Sequence, residues 1–140
     1  MRDFKEAVAN RRSIYALGRN IPVLQTEIIA AVERMTKEVP SSFNMQSARV
    51  VVTMLEHHEN VWDITRNALK AIVPKEKFAP TEEKLKGFAS AYGTILFFEE
   101  SDTVYEMQKK FPTYAENFPI WAAQANGMLQ FAIWTALEDM

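Results

Sequence analysis

Three polar clusters in the sequence have the residue types that bind small polar molecules. In the first, Arg11, Arg12 and Ser13 directly follow a short amphipathic segment. Two guanidinium groups and a hydroxyl together hold a phosphate monoester through charge-assisted hydrogen bonds. A basic pair at the end of a helix also offsets the negative end of the helix dipole. The sequence leaves both interpretations of this cluster open.

The second cluster is the polar segment PSSFNMQ at residues 40–46. Its side-chain hydroxyls and amides both donate and accept hydrogen bonds, which suits the edge of a flat heterocycle carrying carbonyl groups and ring nitrogens. The same composition is typical of a turn with a capping serine. This hypothesis assigns ligand binding to Pro40, Ser41, Ser42, Asn44 and Gln46.

The third cluster lies in residues 120–137, a stretch of eighteen residues without a charge. It contains the amides Gln124, Asn126 and Gln130, which must find hydrogen-bond partners if they are buried. They therefore either pair across a subunit interface or face a ligand. Trp121 and Trp134 of the same stretch are interpreted as core or interface anchors.

Composition excludes several classes of protein. A chain of 140 residues with 48% hydrophobic and 24% charged residues predicts one soluble globular domain spanning residues 1–140. The absence of cysteine excludes disulfides, thiolate metal sites and cysteine nucleophiles. A net charge of −2 gives no long-range attraction to nucleic acid or to anionic membranes. The charged N-terminal residues lack the pattern of a signal peptide, so we expect a cytoplasmic protein.

Familiar catalytic motifs are missing from the chain. It has no GxGxxG, GxxxxGK[ST], GxSxG or HExxH pattern, and only four glycines, so a glycine-built phosphate cradle is not expected. The adjacent His57 and His58 point in different directions in any regular element and rarely share an ion. We therefore predict a solvated turn at His57, His58 and Glu59, and no metal site.

Hydrophobic spacing predicts a mainly helical α+β chain. A β-branched run predicts a strand buried on both faces at residues 49–55, and a second strand is predicted at 93–100. Thr103 and Glu106 have the spacing of a capping box. The predicted helices cover residues 3–10, 26–35, 61–72, 81–91, 103–111 and 120–137.

The uncharged stretch at residues 120–137 is nearly long enough to cross a bilayer, but four polar side chains would be costly there. Its polar groups fall in separate sectors of a helix, which predicts a helix enclosed on most sides. One small domain rarely encloses a helix so fully. We therefore expect a second subunit to cover part of it, in a homodimer.

Taken together, four segments resemble the nitroreductase family, and most closely its small fatty-acid-repression branch of bacterial and fungal flavoproteins. The first two correspond to the superfamily forms RRS[IVT]R and PSxxNxQPW, and the last two are similar to the branch alone. The segments are NRRSIYAL at residues 10–17, PSSFNMQSARVVV at 40–52, FAPTEEKLKGFASAYGTILFFEE at 78–100 and KFPTYAENFPIWAAQANGMLQFAIWTALE at 110–138.

This resemblance implies a nitroreductase fold, with a small antiparallel sheet and a long central helix at a dimer interface. It also implies an FMN-dependent oxidoreductase that uses NAD(P)H to reduce nitroaromatic, quinone or similar acceptors. In relatives, the residues matching Arg11, Arg12 and Ser13 grip the phosphate and ribityl chain of FMN. The residues matching the second cluster approach the isoalloxazine ring, usually from the partner subunit. Gln130 matches a glutamine that is common on the central helix.

Two departures from the family pattern stand out. Ser47 and Ala48 replace the usual Pro-Trp pair, which we expect to alter packing at the start of the first strand. Family members also continue beyond the central helix into further strands, so we expect this chain to lack C-terminal strands of the fold. The missing strands leave open a catalytically incompetent or regulatory dimer without a tight flavin site. A generic helical ligand-binding protein is a further alternative.

Overall fold

The computed structural model describes residues 3–140, so the first two residues of the N-terminal segment lie outside the described part. The chain is mainly helical, with one small two-stranded antiparallel sheet, which confirms the predicted α+β class. Within residues 3–140, short 3-10 turns lie at Ser42–Asn44, Lys75–Lys77 and Pro112–Tyr114. The elements are α1 Phe4–Asn10, α2 Gln25–Glu38, β1 Ala48–Met54, α3 Glu56–Ile72, α4 Phe78–Ala89, β2 Gly93–Glu99, α5 Ser101–Lys110 and α6 Asn117–Asp139.

Strands β1 and β2 are hydrogen-bonded neighbours in the sheet. At one end the Glu100 amide donates to the Ser47 carbonyl at 2.8 Å, and at the other the Thr53 hydroxyl donates to the Thr94 carbonyl at 3.1 Å. β2 begins at Gly93. Only glycine fits at this position, because a Cβ would lie 2.7 Å from the Thr53 carbonyl oxygen. No helix within residues 3–140 is both long enough and apolar enough to cross a membrane.

The chain divides into two compact units. The first comprises the described part of residues 1–11 together with 23–51 and 97–140. In this unit α1, α2 and α5 all pack against α6. Its core is a cluster of four buried side chains with Met107, Phe111 and Trp121 packed around it. The four are Met45, Val104, Phe118 and Ala122.

The second unit comprises residues 12–22 and 52–96, in which α3 packs against α4. His58 is 1% exposed within it, and its Nε2 lies 3.1 Å from the Ala89 carbonyl oxygen. Because a carbonyl only accepts, Nε2 must carry the ring proton. Nδ1 then accepts from the Thr94 hydroxyl at 2.9 Å, and Thr94 accepts from the Trp62 indole N–H at 3.1 Å. Both ring nitrogens of His58 thus have a hydrogen-bond partner within this buried network.

The solvated turn predicted at His57, His58 and Glu59 is wrong, because these residues form the first turn of α3. The sequence signal that was missed is the spacing from His58 to Trp62, which places both on one helix face. No group of three or more histidine or acidic side chains suited to a metal ion occurs in the described residues.

Three further local predictions are wrong. α4 begins at Phe78 rather than near residue 81, since Pro80 falls in the first turn, where its missing N–H is not needed. α5 begins two residues before the predicted capping box and has no side-chain cap. β1 is not buried on both faces, because alternate side chains such as Val51, 45% exposed, lie on its uncovered face.

Leu55 joins β1 to α3 in an unusual backbone conformation, with φ 54° and ψ −128°. Side chains with a Cβ rarely adopt this region, whereas glycine enters it readily. The Leu55 side chain is also 63% exposed, so its burial returns little stabilisation. The link between strand and helix therefore stores backbone strain of about 1–3 kcal/mol.

Replacing Leu55 with glycine should stabilise the chain. Release of that strain outweighs the extra backbone entropy that glycine loses on folding, about 0.5–1 kcal/mol. We expect Leu55→Gly to raise the free energy of unfolding in urea by about 1 kcal/mol. Leu55→Ala removes the same side chain but keeps the Cβ, so it should give no gain. Equal free energies of unfolding for Leu55→Gly and Leu55→Ala would contradict backbone strain at residue 55.

Candidate functional site

Residues 40–47 form a loop with three non-glycine residues in the left-handed region: Phe43, Asn44 and Gln46, with φ of 56°, 51° and 54°. The backbone N–H of Gln46 donates to the Ser41 hydroxyl oxygen at 2.9 Å, and the side-chain Nε2 of Gln46 donates to Asn44 Oδ1 at 3.1 Å. These bonds hold a conformation that costs energy at each such residue. The loop therefore presents its polar side chains in one fixed arrangement.

The ring of Phe43 lies within an aromatic cluster that anchors this loop. The Phe43 centroid is 4.8 Å from that of Phe111, 5.4 Å from Phe118 and 5.6 Å from Tyr114. It also stacks on Trp121 at 5.8 Å. Aromatic pairs contribute about 0.5–1.5 kcal/mol each beyond their buried area. This cluster offsets the backbone strain at Phe43 and fixes the loop to the start of α6.

A cavity of about 460 Å³ opens beside the loop, entirely within the first unit. We call it the loop cavity. Four of the five residues predicted in the second cluster line it. Ser42 does not: its carbonyl accepts from the Met45 amide inside the 3-10 turn. The lining comprises Thr36, Lys37, Glu38, Val39, Pro40, Ser41, Asn44, Gln46, Ser47, Ala48, Arg49, Ala125 and Leu129.

The first predicted cluster is divided between the two units. Arg11 is the residue after α1 and belongs to the first unit, where its guanidinium carbon lies 4.1 Å from the Trp134 ring centroid and 5.4 Å from that of Phe131. This cation–π contact attaches the end of α1 to α6. Arg12 and Ser13 belong to the second unit and are exposed. The two interpretations of this cluster, a phosphate site and a basic pair that offsets the helix dipole, both stay open.

A chain of hydrogen bonds joins the loop to the amides of α6. The Ser47 hydroxyl donates to Glu99 Oε2 at 2.6 Å, and Asn126 Nδ2 donates to Glu99 Oε1 at 2.7 Å. Asn126 Nδ2 also lies 3.3 Å from the Phe98 carbonyl oxygen. Gln130 Nε2 donates to Asn126 Oδ1 at 2.7 Å. We call Ser47, Glu99, Asn126 and Gln130 the amide chain.

The burial expected for all three α6 amides holds only for Asn126, which is 7% exposed and bonded within its own chain. Gln124 and Gln130 are exposed. The sequence also did not predict Ser47 and Glu99 as the residues that hydrogen-bond each other and Asn126. The signals for them were a departure from the family motif at Ser47 and an acidic residue at the end of an apolar strand.

α6 buries one face and leaves an apolar face uncovered in the single chain. Its buried residues include Phe118, Leu129 and Ile133. Four large apolar side chains remain 40% to 55% exposed, which is unusual for so apolar a helix unless a partner covers it. They are Ile120, Met128, Phe131 and Trp134.

The second unit has a smaller cleft, of about 250 Å³, beside Trp62. Each cation that lines it has an acidic partner, and the hydrogen bond to Glu83 raises the pKa of Lys86. Paired cations offer little net attraction to a phosphate, so this cleft is not proposed as an anion site. The pairs are Arg19 with Glu59 at 2.9 Å, Arg66 with Asp63 at 2.7 Å and Lys86 with Glu83 at 2.7 Å.

Comparison with known proteins places the chain in a family. The model of the nitroreductase family matches residues 8–140. The putative nitroreductase HBN1 of Saccharomyces cerevisiae is 30% identical over 98% of this chain and 69% of its own length, and the yeast nitroreductase FRM2 is 30% identical over 97% and 68%. The chain belongs to the nitroreductase family, as its motifs predicted.

The fold agrees with this assignment. The structure of nitroreductase CinD from Lactococcus lactis in complex with chloramphenicol matches with a TM-score of 0.86 and 36% identity. The match covers 98% of this chain and 69% of CinD. The predicted nitroreductase fold is therefore confirmed, and the family supports an oxidoreductase.

Truncating Phe43 should weaken the anchoring of the loop. We expect Phe43→Ala to lower the free energy of unfolding by about 2–3 kcal/mol, because four ring contacts are lost. Phe98→Ala is a matched control, since Phe98 is 50% exposed against 48% for Phe43 and has no ring partner among the described residues. Urea unfolding of both variants measures the difference. Equal losses would show that the aromatic cluster adds nothing beyond burial.

Proposed function

We propose that the chain is an FMN-dependent oxidoreductase that takes electrons from NAD(P)H and passes them to nitroaromatic, quinone or similar small acceptors. The observation that carries this proposal is the convergence of Ser41, Asn44 and Gln46 on one cavity beside α6. Nitroreductase CinD, which is similar to this chain, has been solved with 4-nitrophenol and with nicotinic acid. Small aromatic compounds of these kinds are the ligands we expect here.

The residues of the loop cavity suit an isoalloxazine ring. Its volume of about 460 Å³ falls in the usual range for small-molecule sites. Ala125 and Leu129 supply an apolar wall for a flat ring, while hydroxyl and amide groups suit carbonyls and ring nitrogens at its edge. Asn44 and Gln46 hydrogen-bond each other and are therefore already oriented before any ligand binds.

The side chains of this protein bind and orient, and none needs to act as a nucleophile. FMN, when bound, would supply the redox chemistry, namely ping-pong hydride transfer from NAD(P)H to a small acceptor. Ser41, Asn44 and Gln46 position the ring edge by hydrogen bonds. The resemblance to the family implies that Arg11, Arg12 and Ser13 would each contribute charge-assisted hydrogen bonds to the FMN phosphate.

FMN binding gives the direct test. We expect the purified chain to quench FMN fluorescence and, when loaded, to oxidise NAD(P)H with 4-nitrophenol as acceptor. Asn44→Gly removes one amide without strain, because glycine tolerates the φ of 51° at this position. Loss of one hydrogen bond should weaken FMN binding about threefold to tenfold.

The control for this test is Asn67→Ala, which removes an exposed amide on α3 in the second unit. It should leave FMN affinity unchanged. If the wild-type chain gives no flavin absorption after reconstitution and no NAD(P)H oxidation, the proposal fails. The alternative of an incompetent or regulatory nitroreductase-like dimer would then be favoured.

We also propose that the active form is a homodimer whose interface includes the exposed apolar face of α6. Burial of large apolar side chains such as Met128, 48% exposed, provides the driving force for association. The resemblance to the family implies that the loop of one subunit then approaches the flavin held by the other.

Light scattering at micromolar concentration should give twice the chain mass of 16.1 kDa. Met128→Glu places a charge in the proposed interface, so we expect the mass to fall toward that of one chain. Ile64→Glu is the control, because Ile64 is an equally apolar residue, 69% exposed on α3. A monomeric wild-type protein would contradict the dimer.

A further inference from the structure

The guanidinium group of Arg49 is held against the loop at the edge of the loop cavity. Its Nη1 donates to the Gln46 carbonyl at 2.9 Å and to the Ala48 carbonyl at 3.0 Å. Gln46 is one of the left-handed residues of the loop, so the loop conformation sets the direction of the carbonyl that Arg49 binds. The position of the guanidinium group therefore follows from the loop, and Arg49 lines the same cavity as Asn44 and Gln46.

The remaining donors of this guanidinium group have no close partner. The carboxylate that faces Arg49 is that of Glu100, whose Oε2 lies 3.9 Å from Nε, beyond hydrogen-bond distance. Arg49 Nη2 donates to no group within residues 3–140. By contrast, the cations of the cleft beside Trp62 lie 2.7 Å or 2.9 Å from their carboxylates. Arg49 thus keeps the N–H donors of Nη2 for a ligand.

The charges that line the loop cavity favour an anion at Arg49. Two cations, Lys37 and Arg49, and one carboxylate, that of Glu38, line the cavity. Lys37 lies in the last turn of α2, where its charge also offsets the carbonyls that end the helix. Arg49 lies in a strand and has no such role. Because Leu129 and Ala125 give the cavity an apolar wall, an aromatic ring that carries an anionic group fits this lining.

We propose that Arg49 is a specificity-determining residue that binds the carboxylate of an aromatic acceptor in the loop cavity. This inference rests on the proposed flavin function, and it names the class of acceptor: a nitroaromatic or quinone compound that carries a carboxylate. The oxidised isoalloxazine ring is neutral, so it leaves the charge of Arg49 for the second reactant. The N–H donors of a guanidinium group lie in one plane, which suits the planar carboxylate.

The first test titrates the flavin-free protein with benzoate and with benzamide, which have similar shapes but differ in charge, and follows binding by NMR. We expect the wild-type protein to bind benzoate about tenfold more tightly than benzamide, equal to about 1.4 kcal/mol. In Arg49→Gln this ratio should fall below about threefold. Arg34→Gln is the matched control, because it removes the same charge from an exposed residue of α2 that does not line the cavity. It should keep the wild-type ratio.

The ratio separates recognition of charge from a change in the loop. If Arg49 only supports the loop, Arg49→Gln weakens the binding of both ligands alike, and an unchanged ratio would overturn the proposal. Loss of the ratio in Lys37→Gln but not in Arg49→Gln would assign the carboxylate to Lys37 and contradict the role of Arg49. Inorganic phosphate that binds more tightly than benzoate, and only when Arg49 is present, would overturn the choice of a carboxylate.

The second test measures kcat/KM of the FMN-loaded protein for 4-nitrobenzoate and for 4-nitrobenzamide, with NAD(P)H as reductant. Relative to the wild-type protein, Arg49→Gln should lower the ratio of the two values about tenfold, through KM for 4-nitrobenzoate, and Arg34→Gln should leave it unchanged. The same ratio in all three proteins would overturn the inference while leaving the flavin function intact. Failure of the wild-type protein to bind FMN would instead refute the proposed function, and the titrations of the flavin-free protein would still decide the role of Arg49.

Discussion

The contact on which the first unit depends is the packing of the Phe43 ring against the aromatic side chains at the start of α6. Phe43 has a left-handed backbone conformation that is costly for a residue with a Cβ, and four ring contacts offset this cost. Because Phe43 is fixed, its neighbours in the loop are fixed as well. Ser41, Asn44 and Gln46 then line one cavity, and Ser47 reaches Glu99. The packing of one ring thus positions the polar groups on both sides of it.

Each unit contains a hydrogen-bond chain through a buried side chain, and the chain starts from an atom that only accepts. In the second unit the Ala89 carbonyl assigns the proton of His58 to Nε2, and the other bonds of Thr94 and Trp62 follow. In the first unit Glu99 assigns the orientation of Asn126, and that of Gln130 follows. An acceptor-only group removes the ambiguity that amides and imidazoles otherwise have. The two chains differ in where they end: that of the second unit ends inside the unit, and that of the first ends at the exposed side chain of Gln130.

The elements and the family could be predicted from the sequence, because hydrophobic spacing and the four motifs are local properties of the chain. The failures concern properties that depend on contacts distant in sequence. The burial of His58 requires Thr94 and Ala89, which lie more than thirty residues away. The left-handed residues Phe43 and Leu55 carry no glycine signal, so their strain is invisible before the fold is known. The chemistry of the loop amides alone predicts them as ligand groups. The bond from the Ser47 hydroxyl to Glu99 is not predicted, because these two residues are fifty-two positions apart in the sequence.

The uncharged sequence of α6 predicts more burial than a single chain provides. Its uncharged stretch predicted a helix enclosed on most sides, yet a single chain covers only one of its faces. The uncovered face carries Trp134, and the guanidinium group of Arg11 lies over that ring. A cation–π contact of this kind strengthens when water is excluded from it. Any partner that covers the apolar face of α6 would therefore also strengthen the attachment of α1, so association and the placement of Arg11 are coupled through the same aromatic side chain.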